Sequence, residues 1–428
     1  MASTLNRRSL LKGAAAGVAA AGIAAPYVRA QSAITLSFMT WGAPAEQEAF
    51  NALIAKYRTV KPNVTVRLEL VPGGAVLYQQ VDTRLAGRQA PDVFRIQYQH
   101  VGRYARDGGI VDLSEYVDGD YGSAFAPLFW QTVKYQGKPF ALPHHTDTAA
   151  LFYNVEYMRR IGMEPPTSLD QAWTWEQFIR AARAMKEQQV VRYPFAMNFQ
   201  TSNAYRWLIL LHQHGGRFFA DDLRTPEIAS QKGIETIAWT QSWFRDQLVP
   251  PNTSLKSTEP IQNLFANGTI GMMLHGDWQI PFLQQQMTRF QWGVTPMIRD
   301  VATCSDLGGN CLAVSRDSRN KEVAADFLKF LVNEENSRDF IKAAMLLPVR
   351  RSLMTERIDY PMRAEAMRVF IEQVSTIQES FARAITIPEW SRINQSLADE
   401  LDLCFTSGQS PEVTARNAEA HARAAFTG

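Results

Sequence analysis

The chain has 428 residues, of which 46% are hydrophobic and 20% are charged, and this composition is typical of a globular protein. It excludes disordered, collagen-like and disulfide-scaffold proteins, and the length predicts two or three domains, each with its own core. The formal net charge is +2, but Arg7, Arg8, Lys12 and Arg29 lie in the first 30 residues, which hold no acid, so the remainder carries −2. Because that remainder has no basic block, neither nucleic acid nor an anionic membrane is expected as a partner.

The first 30 residues have the pattern of an export signal. Asn6–Lys12 contains a twin arginine, Ala14–Ala25 is a run of small residues, and Ala30 suits a cleavage site. The run of 12 residues is shorter than the roughly 20 that cross a bilayer. We therefore predict a Tat signal peptide over residues 1–30 and a periplasmic mature protein, with a Sec signal as the alternative route.

Strand and helix patterns alternate after the leader. The strand patterns, with apolar residues at every second position or in a short apolar run, are Ile34–Phe38, Val64–Leu70 and a third that begins at Pro91-Asp92-Val93-Phe94. The helix patterns between them are Phe50–Tyr57 and Ala75–Leu85. This order predicts βαβ units, and therefore a parallel sheet covered by helices.

Further helices are predicted to begin at Thr174-Trp175, at Thr225-Pro226-Glu227 and at Pro260. Thr269–Leu274 predicts a strand that runs into His275-Gly276-Asp277-Trp278. In open α/β sheets ligands bind outside the carboxyl ends of strands, so this strand end is a candidate ligand edge.

Motifs for cofactor and nucleophilic chemistry are missing from the sequence. It has no C-x-x-C, no G-x-G-x-x-G, no G-x-x-x-x-G-K-[ST] and no G-x-S-x-G, so no cofactor is expected. His144-His145 and the pair His212 and His214 do not have the spacing that places ligands on one helix face, so no metal site is predicted. The paired carboxylates of a glycosidase are defined by their separation in space, so a secreted glycan-processing enzyme stays as the alternative function.

The positions of the cysteines bear on two questions, namely lipid anchoring to the membrane and disulfide formation. The first of them is Cys304, so none stands at the predicted cleavage point and no lipid anchor to the membrane is expected. An oxidising compartment permits a bridge between Cys304 and Cys311, and free buried thiols are the equal alternative for these two and for Cys404.

The order of several short segments resembles a known family. The segments are Ile34–Trp41, Pro91-Asp92-Val93, Gly137–Pro143, Leu151–Asn154, Trp173-Thr174-Trp175, Gly268–Trp278 and Gly308-Gly309-Asn310. In this order they resemble the extracellular solute-binding proteins of carbohydrate ABC transporters, family 1, which are maltose-binding-protein-like. The resemblance covers the chain from about Ile34 to the C-terminal helices.

The resemblance implies two α/β lobes joined by a multi-crossing hinge, with the ligand cleft between them. The expected N-terminal lobe spans 33–146 plus 302–348, and the expected C-terminal lobe spans 147–301 plus 349–428. A strand at Gly308–Ser315, followed by a helix from Ser318, supports a late return to the first lobe. The implied function is to bind a sugar, oligosaccharide or polyol by closure, without catalysis, and to deliver it to permease subunits; a monomer is expected.

A sugar needs flat aromatic faces for its C–H surface and forked polar groups for its hydroxyls, so residues of these kinds at strand ends and in loops are the candidate ligand residues. In the first lobe, Trp41 follows the first strand, and Gln97 and Tyr98 lie in a predicted loop where the family places ligand contacts. At the crossing, where the family lines the cleft, His144 and Asp147 are the candidates.

In the second lobe, Trp278 resembles the family's stacking aromatic residue. Gly276 is expected to let the backbone approach the ligand, and Asp277 flanks both. Asn198 follows another predicted strand together with Gln200, and Trp390 is a further aromatic candidate.

Overall fold

The computed structural model describes residues 32–199 and 204–427. The predicted signal peptide over residues 1–30 and the candidate Gln200 lie outside the described residues. The region from Ile34 to the C-terminus forms a single compact unit. None of the described helices is both long and apolar enough to span a membrane.

The strands, in chain order, are β1 (Ile34–Thr40), β2 (Val64–Leu70), β3 (Val93–Gln97), β4 (Lys134–Tyr135), β5 (Lys138–Pro139), β6 (Leu142–His145), β7 (Ala149–Asn154), β8 (Tyr193–Met197), β9 (Ile270–Gly276), β10 (Trp292–Thr295) and β11 (Asn310–Val314). Their positions confirm the predicted strands at the N-terminus, at Thr269–Leu274 and at Gly308–Ser315.

The α-helices are α1 (Pro44–Val60), α2 (Gly74–Ala86), α3 (Tyr98–Arg106), α4 (Pro127–Thr132), α5 (Val155–Arg160), α6 (Trp175–Glu187), α7 (Trp207–Gln213), α8 (Gln231–Arg245), α9 (Ile261–Ala266), α10 (Ile280–Gln286), α11 (Lys321–Leu331), α12 (Glu334–Ala344), α13 (Arg351–Met354), α14 (Ala364–Gln373), α15 (Glu379–Ile385), α16 (Trp390–Ser407) and α17 (Pro411–Ala424). Short 3₁₀ turns connect several of them.

The first sheet has the strand order β2-β1-β3-β11-β6. β1 pairs in parallel with β2, from Ile34 opposite Val64 to Thr40 opposite Leu70, and it also pairs in parallel with β3. β11 runs antiparallel to both β3 and β6. The predicted parallel sheet is therefore confirmed for β1 to β3, and the late strand β11 makes the whole sheet mixed.

The second sheet has the strand order β10-β7-β9-β8. β7 is antiparallel to β9 and β10, and β8 is parallel to β9, so β8 and β9 end at the same edge. That edge carries Asn198, directly after β8, and Gly276, the last residue of β9.

Chain segments join the two sheets side by side. Thr146, between β6 and β7, exchanges backbone hydrogen bonds with Leu347, at 3.0 and 3.2 Å. Gly309 lies just before β11 with φ +83°, and a Cβ there would lie 2.4 Å from the carbonyl oxygen of His145. The glycine thus permits the close approach of two crossings. The architecture is two α/β lobes with a multi-crossing hinge, as the resemblance implied.

One predicted helix start is wrong. The expected helix at Thr225-Pro226-Glu227 begins later, at Gln231, with the Ser230 side chain accepting a hydrogen bond from the backbone of Gly233. Asp222 accepts hydrogen bonds from the Thr225 backbone and hydroxyl, and Pro226 pairs with Phe219. This local turn satisfies the backbone groups that a helix would otherwise use.

Cys304, Cys311 and Cys404 are all free and buried in the structure. Of the two alternatives left open by the sequence, the structure shows the free thiols. Burial raises the pKa of the Cys304 thiol to about 12 and that of Cys404 to about 11, so both thiols are protonated and unreactive at neutral pH.

Candidate functional site

A cavity of about 320 Å³ lies where the first sheet and its helices meet the N-terminal end of α16. Its size is at the lower end of the range of roughly 300–1,000 Å³ that holds small ligands. Aromatic and amide side chains dominate its lining, which consists of Trp41, Gly74, Ala75, Tyr78, Gln97, Gln99, His100, Tyr205, Trp390, Ser391, Asn394 and Gln395.

The first-lobe wall is built at the ends of β1 and β3. Trp41 directly follows β1, and its ring meets the ring of Tyr78 edge-on, with centroids 6.1 Å apart. Gln97 is the last residue of β3, and its backbone N–H donates a 2.9 Å hydrogen bond to the Tyr78 hydroxyl. His100 completes the wall with its ring centroid 4.0 Å from that of Tyr78.

The opposite wall comes from Tyr205 and from the first turn of α16. Trp390 begins α16 and packs edge-on against Phe218, while its indole Nε1 is buried without a hydrogen-bond partner among the described residues. The hydroxyl of Ser391 lies 3.3 Å from Nδ1 of His100 on the facing wall.

The two walls touch at the rim of the cavity. A Cβ on Gly102 of α3 would lie 2.6 Å from the carbonyl oxygen of Thr386 and 3.1 Å from the nitrogen of Pro388. Arg106, one turn further along α3, forms a 3.1 Å ion pair with Glu389. These contacts join α3 to the segment before α16 at the rim of the cavity.

A buried polar cluster adjoins the cavity, and it consists of Glu46, Arg95, His145, Asp147, Arg206, Asp277 and Asp306. Glu46 is placed at the start of α1, where its Oε1 accepts a hydrogen bond from the backbone of Ala43. Its Oε2 lies 2.5 Å from Nη2 of Arg95. Arg95 also donates a hydrogen bond to the backbone oxygen of Trp41 and stacks over the Trp41 ring at 4.7 Å, so this ion pair fixes a cavity-lining aromatic residue.

Another part of this cluster surrounds Arg206. Its Nε donates a 2.9 Å hydrogen bond to Oδ2 of Asp306. The guanidinium lies 5.0 Å from the ring of Tyr205, which lines the cavity, and 5.3 Å from the ring of Trp278. Asp277 accepts a 3.0 Å hydrogen bond from the backbone of Thr148. Both guanidinium groups of the cluster therefore contact aromatic rings of the cavity lining.

Burial changes the protonation of the cluster. Burial, together with repulsion by Glu46, raises the pKa of Asp147 to about 7. Burial and the Asp147 charge raise the pKa of Asp277 well above its usual range. The pKa values of His145 and His275 lie well below the usual range because both rings are buried, with the nearest guanidinium adding to the effect. Both histidines are therefore neutral at physiological pH.

The structure places three of the predicted ligand residues in the lining of the cavity, namely Trp41, Gln97 and Trp390. Asp147 and Asp277 belong to the buried polar cluster, and Asn198 lies beside β9, where its backbone N–H bonds to the carbonyl oxygen of Leu274.

Two predicted residues lie in the core instead. Tyr98 was expected in a loop, but it is the first residue of α3, and its hydroxyl donates to the carbonyl oxygen of His145. His144 is in β6, packed between Phe50 and Phe340 with ring centroids at 5.4 and 4.2 Å. Burial lowers the pKa of His144 to about 3, so it contributes no charge. Neither residue lines the cavity.

Gly276 is closely approached by a side chain of its own segment. A Cβ at this position would lie 1.7 Å from the ring of Trp278, so the glycine makes room for that ring. Trp278 is half-buried beneath Arg206 and is outside the cavity lining.

Sequence reasoning missed Tyr78, Tyr205, Arg206 and Asp306. Tyr78 lies inside a helix, whereas the predicted ligand residues are mainly at strand ends and in loops. One signal for Arg206 was available, since an arginine directly before the apolar run Trp207–Leu211 is costly to bury without an acidic partner. The identity of that partner, 100 residues later, has no local signal.

The chain matches the family of bacterial extracellular solute-binding proteins over residues 43–338. It therefore belongs to this family.

Curated relatives are distant. A maltotriose-binding protein of Pyrococcus abyssi is 23% identical over 73% of this chain and 66% of its own length. A diacetylchitobiose-binding protein of Streptomyces coelicolor is also 23% identical, over 72% of this chain and 71% of its own length.

Solved structures share the fold. The GacH receptor of Streptomyces glaucescens, determined unliganded and with acarbose, superposes with a TM-score of 0.79 at 22% identity, over 93% of this chain and 99% of that one. An ABC substrate-binding protein of Listeria monocytogenes, in complex with cycloalternan, gives 0.80 at 21% identity, over 92% and 99%. These likenesses confirm the predicted fold class.

Proposed function

We propose that this protein is the extracytoplasmic substrate-binding component of an ABC transporter, and that it binds a sugar, oligosaccharide or polyol by closure of two lobes. The observation that carries the proposal is the cavity with aromatic rings and amides on both walls. The ligand leaves unchanged and passes to the permease subunits.

The lining suits a carbohydrate for physical reasons. A sugar ring has an apolar C–H face, which packs against flat aromatic rings such as Trp41, Tyr78 and Trp390. Its hydroxyls both donate and accept hydrogen bonds, and the amides of Gln97 and Gln99 match them in both roles. The names of the relatives support the same class, since they bind maltotriose and diacetylchitobiose.

Closure requires the lobes to move about the hinge. The proposed lobes are 33–146 plus 302–348 and 147–301 plus 349–428, with the crossing at Thr146 and Leu347 between them. Hinge closure around a ligand is a common mode of domain movement. Export by the Tat route to the periplasm and action as a monomer complete the proposal.

A thermal-shift screen against mono-, di- and oligosaccharides, polyols and their phosphorylated forms tests this function. A ligand at 100 times its Kd adds about 2.7 kcal/mol of stability, which is visible as a higher Tm. A matched pair of variants locates the site. Trp41→Ala should reduce the shift, whereas Trp130→Ala, which removes a half-buried tryptophan packed on Phe125 and outside the cavity lining, should not.

The outcomes separate the hypotheses. A shift with intact ligand recovered supports a binding protein. Recovery of a cleaved glycan would replace it with the glycan-processing enzyme. The absence of a shift with any carbohydrate would contradict the proposal.

A further inference from the structure

Arg95 is a buried cation that contacts several chain segments at once. It lies in β3 and is 2% exposed. Its Nη1 donates a 2.5 Å hydrogen bond to the backbone oxygen of Trp41, and its Nη2 lies 2.5 Å from Oε2 of Glu46 in α1. The guanidinium also lies over the Trp41 ring, 4.7 Å from its centroid. One side chain therefore contacts both the backbone and the ring of a residue that lines the cavity.

The same guanidinium reaches the two segments that cross between the sheets. Nε2 of His145, the last residue of β6, lies 3.1 Å from Nη2. The amide oxygen of Asn310, the first residue of β11, accepts hydrogen bonds from Nη2 at 2.8 Å and from Nε at 3.2 Å when it faces Arg95. The crossings begin beside these two residues, where a Cβ on Gly309 would lie 2.4 Å from Cα of Thr146. Arg95 thus connects the cavity wall to the crossings.

Stability alone does not require a charge at this position. Replacing a buried ion pair with apolar side chains of similar volume is often neutral or stabilising, because burying two charges costs about as much as their attraction contributes. An apolar side chain cannot hold a carbonyl oxygen, a carboxylate and an aromatic face in one fixed arrangement, whereas the planar guanidinium of Arg95 can. Its contacts are those of a group that orients its neighbours.

The position of Trp41 depends on this support. The residue lies in the connection of three residues, 41–43, between β1 and α1, so no regular element fixes it. Tyr78 meets the ring edge-on at 6.1 Å, and a Cβ on Gly74 would lie 3.5 Å from it. Neither of these contacts holds the backbone oxygen, whereas Arg95 holds both the oxygen and the ring. Loss of the guanidinium is therefore expected to release the orientation of the ring.

We propose that Arg95 is a positioning residue for ligand binding, and that it acts through Trp41 by fixing the angle at which the indole ring faces the cavity. This inference rests on the proposed function, in which that ring stacks on a carbohydrate. Arg95 is not part of the cavity lining, so its effect on the ligand passes through the ring that it orients.

A double-mutant cycle on Kd tests the inference. The probe is whichever of glucose, galactose, mannose, maltose, cellobiose, maltotriose and sorbitol gives the largest thermal shift, and Kd is measured by isothermal titration. Arg95→Lys keeps the charge but loses the planar fork. We expect it to raise Kd about fivefold or more in the wild type and less than about twofold in the Trp41→Ala background. It should act in full in the Trp390→Ala background, because Trp390 lies on the opposite wall and distant sites are additive.

Glu46→Gln gives the same test from the other side of the ion pair, and it serves if Arg95→Lys does not fold. It places an N–H₂ donor opposite Nη2, while its amide oxygen can still accept the hydrogen bond from Ala43. The same pattern across the two backgrounds is expected. Arg363→Lys is the matched control, since Arg363 stacks on Trp292 at 4.2 Å outside the cavity lining and its substitution should leave Kd unchanged.

A loss of affinity that persists in the Trp41→Ala background would contradict the proposal, because Arg95 would then act through the fold as a whole. Unchanged affinity in both Arg95→Lys and Glu46→Gln would also contradict it, and the proposed function would stand. If none of these carbohydrates binds, the proposed function fails and the inference fails with it.

Discussion

Gly102→Ala is expected to weaken ligand binding without weakening the fold. In the structure the new methyl group would lie 2.6 Å from the Thr386 oxygen, 3.1 Å from the Pro388 nitrogen and 3.3 Å from the Ile387 carbonyl carbon. All three are backbone atoms, which have no rotamer to change, so the rim must separate to relieve the overlap.

The expected rise in Kd follows from the steric overlap between the new methyl group and these backbone atoms. Extra methyl groups in well-packed places cost about 1–3 kcal/mol, which corresponds to about a 5- to 150-fold rise in Kd. Gly102 lies inside helix α3, where alanine favours helix formation over glycine by up to about 1 kcal/mol. The open protein should therefore be as stable as the wild type, or more so.

Isothermal titration and thermal unfolding of the ligand-free protein measure the two effects separately. Gly87→Ala is the matched control, because Gly87 follows helix α2 with φ −86° and a Cβ there would meet nothing closer than 3.6 Å. Unchanged affinity of Gly102→Ala would refute the account of closure at this rim. A loss of affinity matched by a lower Tm would mean that the contact supports the fold instead.

Three further predictions concern the aromatic wall, the buried acid and the leader. Trp41→Ala should raise the Kd about 5- to 150-fold through loss of a stacking face, with Trp130→Ala as the control, measured by titration. The pKa of Asp147 is raised by folding, so its contribution to stability is present below the unfolded pKa and is lost as pH rises through about 7. Asp147→Asn should therefore gain about 2 kcal/mol of relative stability between pH 5 and pH 8 in urea unfolding, and parallel pH profiles would contradict this. Replacing Arg7 and Arg8 with lysine should abolish export, whereas continued export would indicate the Sec route.

Periodicity predicted the elements that depend on local sequence. The strands β1 and β2 alternate, and the helix α1 between them has its apolar residues on one face, so their order and parallel pairing followed directly. The antiparallel placement of β11 beside β3 could not be predicted in the same way, because the pairing joins Cys311 to Ile96 across more than 200 residues.

Trp41 and Gln97 could be predicted as cavity residues because they lie at the ends of strands that the sequence pattern indicates. Tyr98 was misplaced because the chain turns from strand to helix within one residue, leaving no loop. Arg206 and its partner Asp306 were missed because ion pairs form between segments that only the tertiary fold brings together.

The most direct test of the central claim is to incubate the purified protein with the carbohydrate that gives the largest thermal shift, remove free ligand, and identify what is bound by native mass spectrometry. The account predicts one intact ligand molecule per protein chain, unchanged after prolonged incubation. Cleaved or modified carbohydrate, or no bound carbohydrate at all, would contradict it.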